Sequence, residues 1–237
     1  GMDSYKQLKE ISPGSLVQMA LQIQNNLGIA FTYNEPTVFY EYLFDTSLLA
    51  KDKNLSTVMV TNGYISPAPL NDVLPYMDAF NVDLKSFTDS FYRKYTRSAL
   101  KPVLASLQRI KTRDKHLEIT CLIIPGLNDT EGEFRKMVRW IKENLGEMQV
   151  LHLSRYSPNY LCDIPPTPLA TMKSLYTIAR ESLKFVYAGN IRASDEQNTY
   201  CHHCGSLVIE RDNYEVLILL DNKGHCPVCG SKILNYL

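Results

Sequence analysis

Between Ser12 and Asn190 the apolar residues keep changing period, from the three-to-four spacing of a helix face to the alternation or short β-branched runs of strands. Leu16, Met19, Ala20, Ile23 and Leu27 recur at helical spacing behind Ser12-Pro13, which predicts a first helix closed by Gly28. A strand over residues 29–32 follows, then a helix over 36–51 with Val38, Phe39, Tyr42 and Leu43 on one face, and the β-branched run Thr57-Val58-Met59-Val60. The same reading predicts helices over 67–76 and 100–112 and strands over 79–84 and 117–124. In the last of these Leu117, Ile119, Cys121 and Ile123 alternate, so Cys121 belongs to the core. Asn128 or Asp129 caps a helix carrying Phe134, Met137, Val138, Ile141 and Leu145 and stopped by Gly146. A strand over 150–153, a helix capped by Thr167 and ending near Leu183, and a strand over 185–188 complete the series.

Strands and helices in alternation are the sequence form of a parallel sheet built from βα units. Six such strands either close part of a (β/α) barrel or form an open doubly wound sheet. Polar segments follow the successive strands: Tyr33-Asn34-Glu35-Pro36, Thr61-Asn62-Gly63-Tyr64, Asp83-Leu84-Lys85, Pro125-Gly126-Leu127-Asn128-Asp129, His152-Leu153-Ser154-Arg155-Tyr156 and Gly189-Asn190. In a barrel all of them meet at one mouth, the face where βα barrels keep their chemistry. Taken singly, Asn34 with Pro36 is a helix start, Asn62-Gly63 a turn, and His152 a hydrogen-bonded core histidine. Taken together they mix amide, carboxylate, ammonium and imidazole groups, which suits a zwitterionic, ribose-bearing small molecule.

Composition narrows the classes. A chain of 237 residues, 45% hydrophobic, buries one substantial core and a small appendage. Lys+Arg and Asp+Glu both number 25, so the net charge of +0 offers no grip on nucleic acid or anionic lipid. No apolar run reaches membrane-span length and no basic-then-apolar leader opens the chain, so a soluble, cytoplasmic protein is expected. The appendage is written in Cys201-His-His-Cys204 and Cys226-Pro-Val-Cys229, two Cys-x-x-Cys knuckles 21 residues apart, each followed by glycine (Gly205, Gly230) that allows a sharp turn. Four thiolates at that spacing make a tetrahedral site for zinc, or for rubredoxin-like iron, rather than two disulfides. His202, His203 and His225 are then expected to face solvent or to lie around the sulfurs. Around the knuckles Arg211, Lys223 and Lys232 are outweighed by Glu210, Asp212, Glu215 and Asp221, which argues against a nucleic-acid-binding ribbon.

The chain resembles radical S-adenosylmethionine (SAM) enzymes of the pyruvate formate-lyase activase type, and within them the AmmeMemoRadiSam system radical SAM enzyme family. The segments that carry the resemblance are Phe31-Thr-Tyr-Asn-Glu-Pro-Thr37, Val60-Thr-Asn-Gly-Tyr64, Asn81-Val-Asp-Leu-Lys85, Leu117-Glu-Ile-Thr120, Ile123-Ile-Pro-Gly126 with Asn128-Asp129, His152-Leu-Ser-Arg-Tyr156, Pro165-Pro-Thr-Pro168, Val186-Tyr-Ala-Gly-Asn190 and the terminal knuckles. The resemblance implies a partial (β/α) barrel over residues 3–192 and a four-cysteine metal ribbon over 198–237. It implies that Asn34 and Glu35 sit at the methionine amino group of SAM, Thr61, Asn62, Asp83 and Lys85 at the carboxylate and ribose, the Ile124-Pro125 backbone at adenine, and His152 beside the adenosine. An intact enzyme of this kind uses a [4Fe-4S] cluster and SAM to make a 5′-deoxyadenosyl radical that takes hydrogen from a protein or small-molecule substrate.

One departure stands out. The family's Cys-x3-Cys-x2-Cys motif should precede the first helix, and no cysteine precedes Cys121. The resemblance thus implies a barrel without its first strand and cluster loop, inactive alone, whose strand over 29–32 is an open edge shielded by a second copy or a rearranged segment. The alternative is a noncatalytic binding or scaffold protein that keeps the SAM-shaped mouth and uses the ribbon for partner contact.

Overall fold

The computed structural model describes residues 9–191, 194–213 and 215–234. Its main feature is a sheet of six parallel strands: β1 (Gly28–Phe31), β2 (Ser56–Thr61), β3 (Ala79–Asp83), β4 (His116–Ile123), β5 (Val150–Arg155) and β6 (Val186–Gly189). They pair in chain order, β1-β2-β3-β4-β5-β6. A doubly wound sheet needs a point where that order reverses, and none occurs among the described residues. Right-handed crossovers between sequential neighbours put every connecting helix on one face, which is the winding of a barrel.

The helices are α1 (Pro13–Gln22), α2 (Tyr40–Asp52), α3 (Pro67–Val73), a single turn α4 (Asp89–Phe91), α5 (Leu100–Thr112), α6 (Glu131–Leu145) and α7 (Leu169–Arg180). Their apolar stripes meet one face of the sheet in a single core. Val103, Leu107 and Ile110 of α5, Phe134, Met137 and Ile141 of α6, and Leu175 and Ile178 of α7 pack with Met59, Phe80, Ile119, Cys121 and Leu151 of the strands. The alternate strand positions form the opposite face, half-buried and largely polar: Asn81, Asp83, Glu118, Thr120, His152 and Tyr187. That concave side is the lumen of the partial barrel. Beyond β6 lies an antiparallel sheet of β7 (Thr199–Tyr200), β8 (Leu207–Asp212) and β9 (Glu215–Ile218), with the first cysteine knuckle between β7 and β8 and the second after β9.

Several expected boundaries move. The first helix ends at Gln22, because Asn25 takes a left-handed φ of 59° and the Asn26 side-chain amide donates to Ala20 O at 2.9 Å. Leu27 is left exposed, and Gly28 opens β1 instead of closing the helix. A Cβ on Gly28 would lie 1.8 Å from Ser56 O, so glycine is what lets β1 approach β2. Helix α6 is capped by Thr130, not Asn128 or Asp129, and α7 by Pro168, not Thr167. Asn128 and Thr167 are buried and bond elsewhere. Among the described residues no strand pairs with the outer edge of β1.

Candidate functional site

All six parallel strands end at one rim, and at four of the five junctions a side chain binds neighbouring tips together. After β1, Glu35 accepts from the Thr37 amide at 3.2 Å and its hydroxyl at 3.0 Å, and reaches across to the Thr61 hydroxyl and the Asn62 amide, both at 2.7 Å. Four donors on one carboxylate fix the tips of β1 and β2. Asn128 does the same for β3 and β4: its amide donates to Lys85 O at 2.6 Å and Leu122 O at 2.8 Å while its Oδ1 accepts from Ile124 N at 2.7 Å. Thr167 links β4 to β5, donating to Ile123 O at 2.5 Å and accepting from the Tyr156 amide at 3.2 Å. Asn190, at φ 57°, ties β6 to β5 through Ser154 Oγ at 2.9 Å.

The expected rim residues fall into two groups. Glu35, Thr61 and Asn62 are in direct contact. Thr61 lies opposite Val82, which sets Asn62 beside Asp83, and Lys85 Nζ pairs with Asp83 Oδ2 at 2.6 Å, both side chains about one-third exposed. The Ile124 amide is joined to the Lys85 carbonyl through Asn128, so Ile124 and Pro125 belong to the same arc, and Asn34 is exposed beside Glu35. Gly63 completes the arc at φ 70°, where a Cβ would meet Val82 Cγ1 at 2.7 Å.

His152 is set apart. Register places it opposite Thr120, which is opposite Asp83, so two strand spacings, about 10 Å, separate His152 from Asp83. Its ring turns down the lumen, where Nε2 is 2.7 Å from Glu118 Oε2, and Glu118 Oε1 is 3.0 Å from His116 Nε2. These hydrogen bonds, from His116 and then His152, hold the Glu118 carboxyl well below the usual carboxylate range against the effect of burial. The same bond raises His116 above the usual imidazole value. The other face of this network is Tyr187, stacked on His152 at 5.4 Å. Glu118 and Tyr187 lie in segments that carry the resemblance but are assigned no role by it, although Glu118 and Thr120 alternate with the apolar residues of β4, the signal for a polar lumen row.

The second cluster is the knuckle pair. The four sulfurs of Cys201, Cys204, Cys226 and Cys229 lie within 4.8 Å of one another, with Cys201 to Cys229 at 3.5 Å and Cys204 to Cys226 at 3.7 Å. A tetrahedron with metal–sulfur bonds of about 2.3 Å has edges of about 3.8 Å, so the four thiols fit one ion. The two knuckles repeat one another: Gly205 N donates to Cys201 O and Cys201 N to Ser206 O, as Gly230 N does to Cys226 O and Cys226 N to Ser231 O. Gly205 and Gly230 both take positive φ, as the sharp turns require. His203 is exposed and His225 approaches Asp221, whereas the His202 ring packs edge-on against Phe185 at 6.0 Å.

The remaining cysteines do not extend this chemistry. Cys121 is buried in β4, where burial pushes its thiol up to about 12, and Cys162 is exposed on the loop before α7. Three thiolates on one tight loop, the holding a site-differentiated [4Fe-4S] cluster needs, are not among the six cysteines of this sequence, so the residues present do not fit that group. The rim does fit a zwitterion with hydroxyls, since Asp83, Lys85 and Asn62 stand side by side and partly exposed. A surface cleft of about 490 Å³ lies elsewhere, between α6 and α7 on the outer layer, lined by Arg135, Arg139, Lys142 and Glu181.

Comparison with known proteins gives a consistent picture. The model of the Radical SAM superfamily matches residues 3–141. An uncharacterized protein of Methanocaldococcus jannaschii is 40% identical over 229 residues, which are 95% of this chain and 68% of that one. The isethionate sulfite-lyase activating enzyme of Oleidesulfovibrio alaskensis is 30% identical over 132 residues, 54% of this chain and 42% of the relative. This chain thus spans about two-thirds of the first relative and less than half of the second. A solved domain of pyruvate-formate lyase-activating enzyme from Bacteroides vulgatus superposes with a TM-score of 0.61 at 16% identity, covering 69% of this chain and 99% of that one. Streptococcus suis SuiB bound to S-adenosylmethionine superposes with a TM-score of 0.62 at 13% identity, covering 77% of this chain and 44% of that one. At such identities the two structures show a shared fold.

Proposed function

This chain belongs to the radical SAM superfamily, and from that premise we propose that it is the SAM-binding barrel of an oxidoreductase in the branch that activates glycyl-radical enzymes, with residues 3–192 as the barrel and 198–237 as a four-cysteine ribbon holding zinc or iron. The observation that carries the reading is the rim arc in which Glu35 clamps the tips of β1 and β2 while Asp83 and Lys85 stand together at the tip of β3.

In this reading Lys85 neutralises the methionine carboxylate of SAM, and Asp83 and Asn62 accept from and donate to the ribose hydroxyls. The Ile124-Pro125 backbone borders the adenine and His152 closes the far side. Glu35 works chiefly through position: its carboxylate is already engaged by Thr37, Thr61 and Asn62, so it shapes the loop carrying Asn34 that receives the ammonium group. When bound, SAM supplies the 5′-deoxyadenosyl group. Asn34, Asn62, Asp83 and Lys85 bind and orient it, and the cluster that would cleave it needs thiolates beyond those of this sequence.

Isothermal titration of the full chain with SAM tests the assignment. Binding is expected, and Lys85→Ala is expected to weaken it by about 10- to 100-fold, the worth of one charge-assisted hydrogen bond. Absence of binding, or a Lys85→Ala variant with unchanged affinity and an intact fold, overturns it.

A further inference from the structure

The C-terminal sheet touches the barrel where the lumen row ends. Tyr187 points from β6 into the lumen, its ring stacked on His152 with 27° between the planes. Its hydroxyl lies 3.0 Å from Thr199 Oγ1 of β7, and the Arg211 guanidinium of β8 stands over its ring at 5.3 Å. Arg211 is itself held by the ribbon and the residue just before it, donating from Nη1 to Gln197 O at 3.0 Å and Thr199 Oγ1 at 2.9 Å, with its backbone amide on Asn198 Oδ1 at 2.7 Å. Both contact residues are tied closely to the knuckles, since Thr199 comes two positions before Cys201 and β8 begins three after Cys204. Among the described residues the ribbon's own core is built on Cys201, Val208 and Cys226 with Leu220 and Ile233 against them. One ion held by the four sulfurs would tie both knuckles to that core.

We propose that the metal-loaded ribbon is an in-chain wall on the β6 side of the lumen, and that Arg211 and Tyr187 are positioning residues that hold the His152 imidazole against Glu118. The consequence is a site whose geometry depends on a metal that takes no part in the chemistry. A one-third exposed imidazole with one hydrogen-bond partner turns about its side-chain bonds unless a neighbour packs on its face, and Tyr187 is that neighbour. Tyr187 in turn carries its cation and its hydroxyl partner from the ribbon. The name of the ligand in the lumen rests on the SAM assignment above, whereas the coupling of ribbon to His152 is a property of the free protein.

The test is NMR of the full chain labelled with 13C and 15N in histidine, with the His152 ring resonance identified from a His152→Gln sample. Arg211→Ala is expected to shift and broaden that resonance while zinc stays at one per chain, and Arg211→Lys, which keeps the cation without the fork, restores part of the shift. Stripping zinc with a chelator is expected to reproduce the Arg211→Ala spectrum, and added zinc to reverse it. SAM affinity of Arg211→Ala is expected to fall about three- to fivefold. A His152 resonance unmoved both by Arg211→Ala and by metal removal overturns the wall. If the resonance moves as stated and the unaltered chain binds no SAM, the coupling stands and the ligand assignment falls. If SAM binds while the resonance stays still, the wall alone falls.

Discussion

Glu118 joins His116 on its own strand to His152 on β5, with Oε1 and Oε2 each on a different imidazole. The two titrations shift in opposite directions and make opposite claims on pH. The lowered Glu118 carboxyl contributes stability that is present above its ordinary value of about 4.5 and is lost as the pH falls further. The raised His116 imidazole contributes stability that is present below its ordinary value of about 6.5 and is lost as the pH rises through its folded value. Both shifts depend on the Glu118 carboxylate, which His116 and His152 share, so Glu118→Gln is expected to remove both arms, costing about 1–3 kcal/mol near pH 6 and flattening the profile. Urea unfolding of both proteins from about pH 3.5 to 8 checks this, and a variant with the original profile contradicts it. Thiol reactivity follows the same environmental logic. With metal in place, alkylation is expected at Cys162 alone, because Cys121 is buried with its thiol pushed up to about 12 and the other four are ligands. Mass spectrometry showing a modified Cys201 or Cys226 in the loaded protein would contradict the four-cysteine site.

At the scale of elements, the rim depends on close strand approach and on the clamps between tips. Gly28→Ala is expected to destabilise by about 1–3 kcal/mol, since its new Cβ would lie 1.8 Å from Ser56 O and β1 has to move off β2. Hydrogen exchange at the β1 and β2 amides reports it. Gly132→Ala is the counterpart: with nothing within 4 Å in the first turn of α6, it is expected to stabilise by about 0.5 kcal/mol. The order and type of these elements were legible in the apolar periods, and their ends were not. Ile23 and Leu27 continue the repeat of α1, yet Asn25 and Asn26 stop it earlier. Asn128 and Thr167 have the side chains of helix caps, but those same groups, buried, serve as clamps on strand-tip carbonyls and amides. Glu118 and Tyr187 were hidden because alternate polar positions in a strand read as solvent-facing until the curve of the sheet encloses them.

For the whole molecule, chain-order pairing of six parallel strands puts every tip on one end and every helix on one face. That topology gathers side chains separated by more than a hundred residues, from Glu35 to His152, around one lumen. The rim arc was readable as a set of polar segments after strands, whereas the ribbon's contact with Tyr187 depends on tertiary placement that no local pattern encodes. The most direct test of the account is amide chemical-shift mapping of the 15N-labelled full chain during titration with SAM. The account predicts the largest shifts at Glu35, Asn62, Asp83, Lys85 and Ile124. Shifts confined to the outer cleft of Arg139 and Lys142, or no shifts at all, would contradict it.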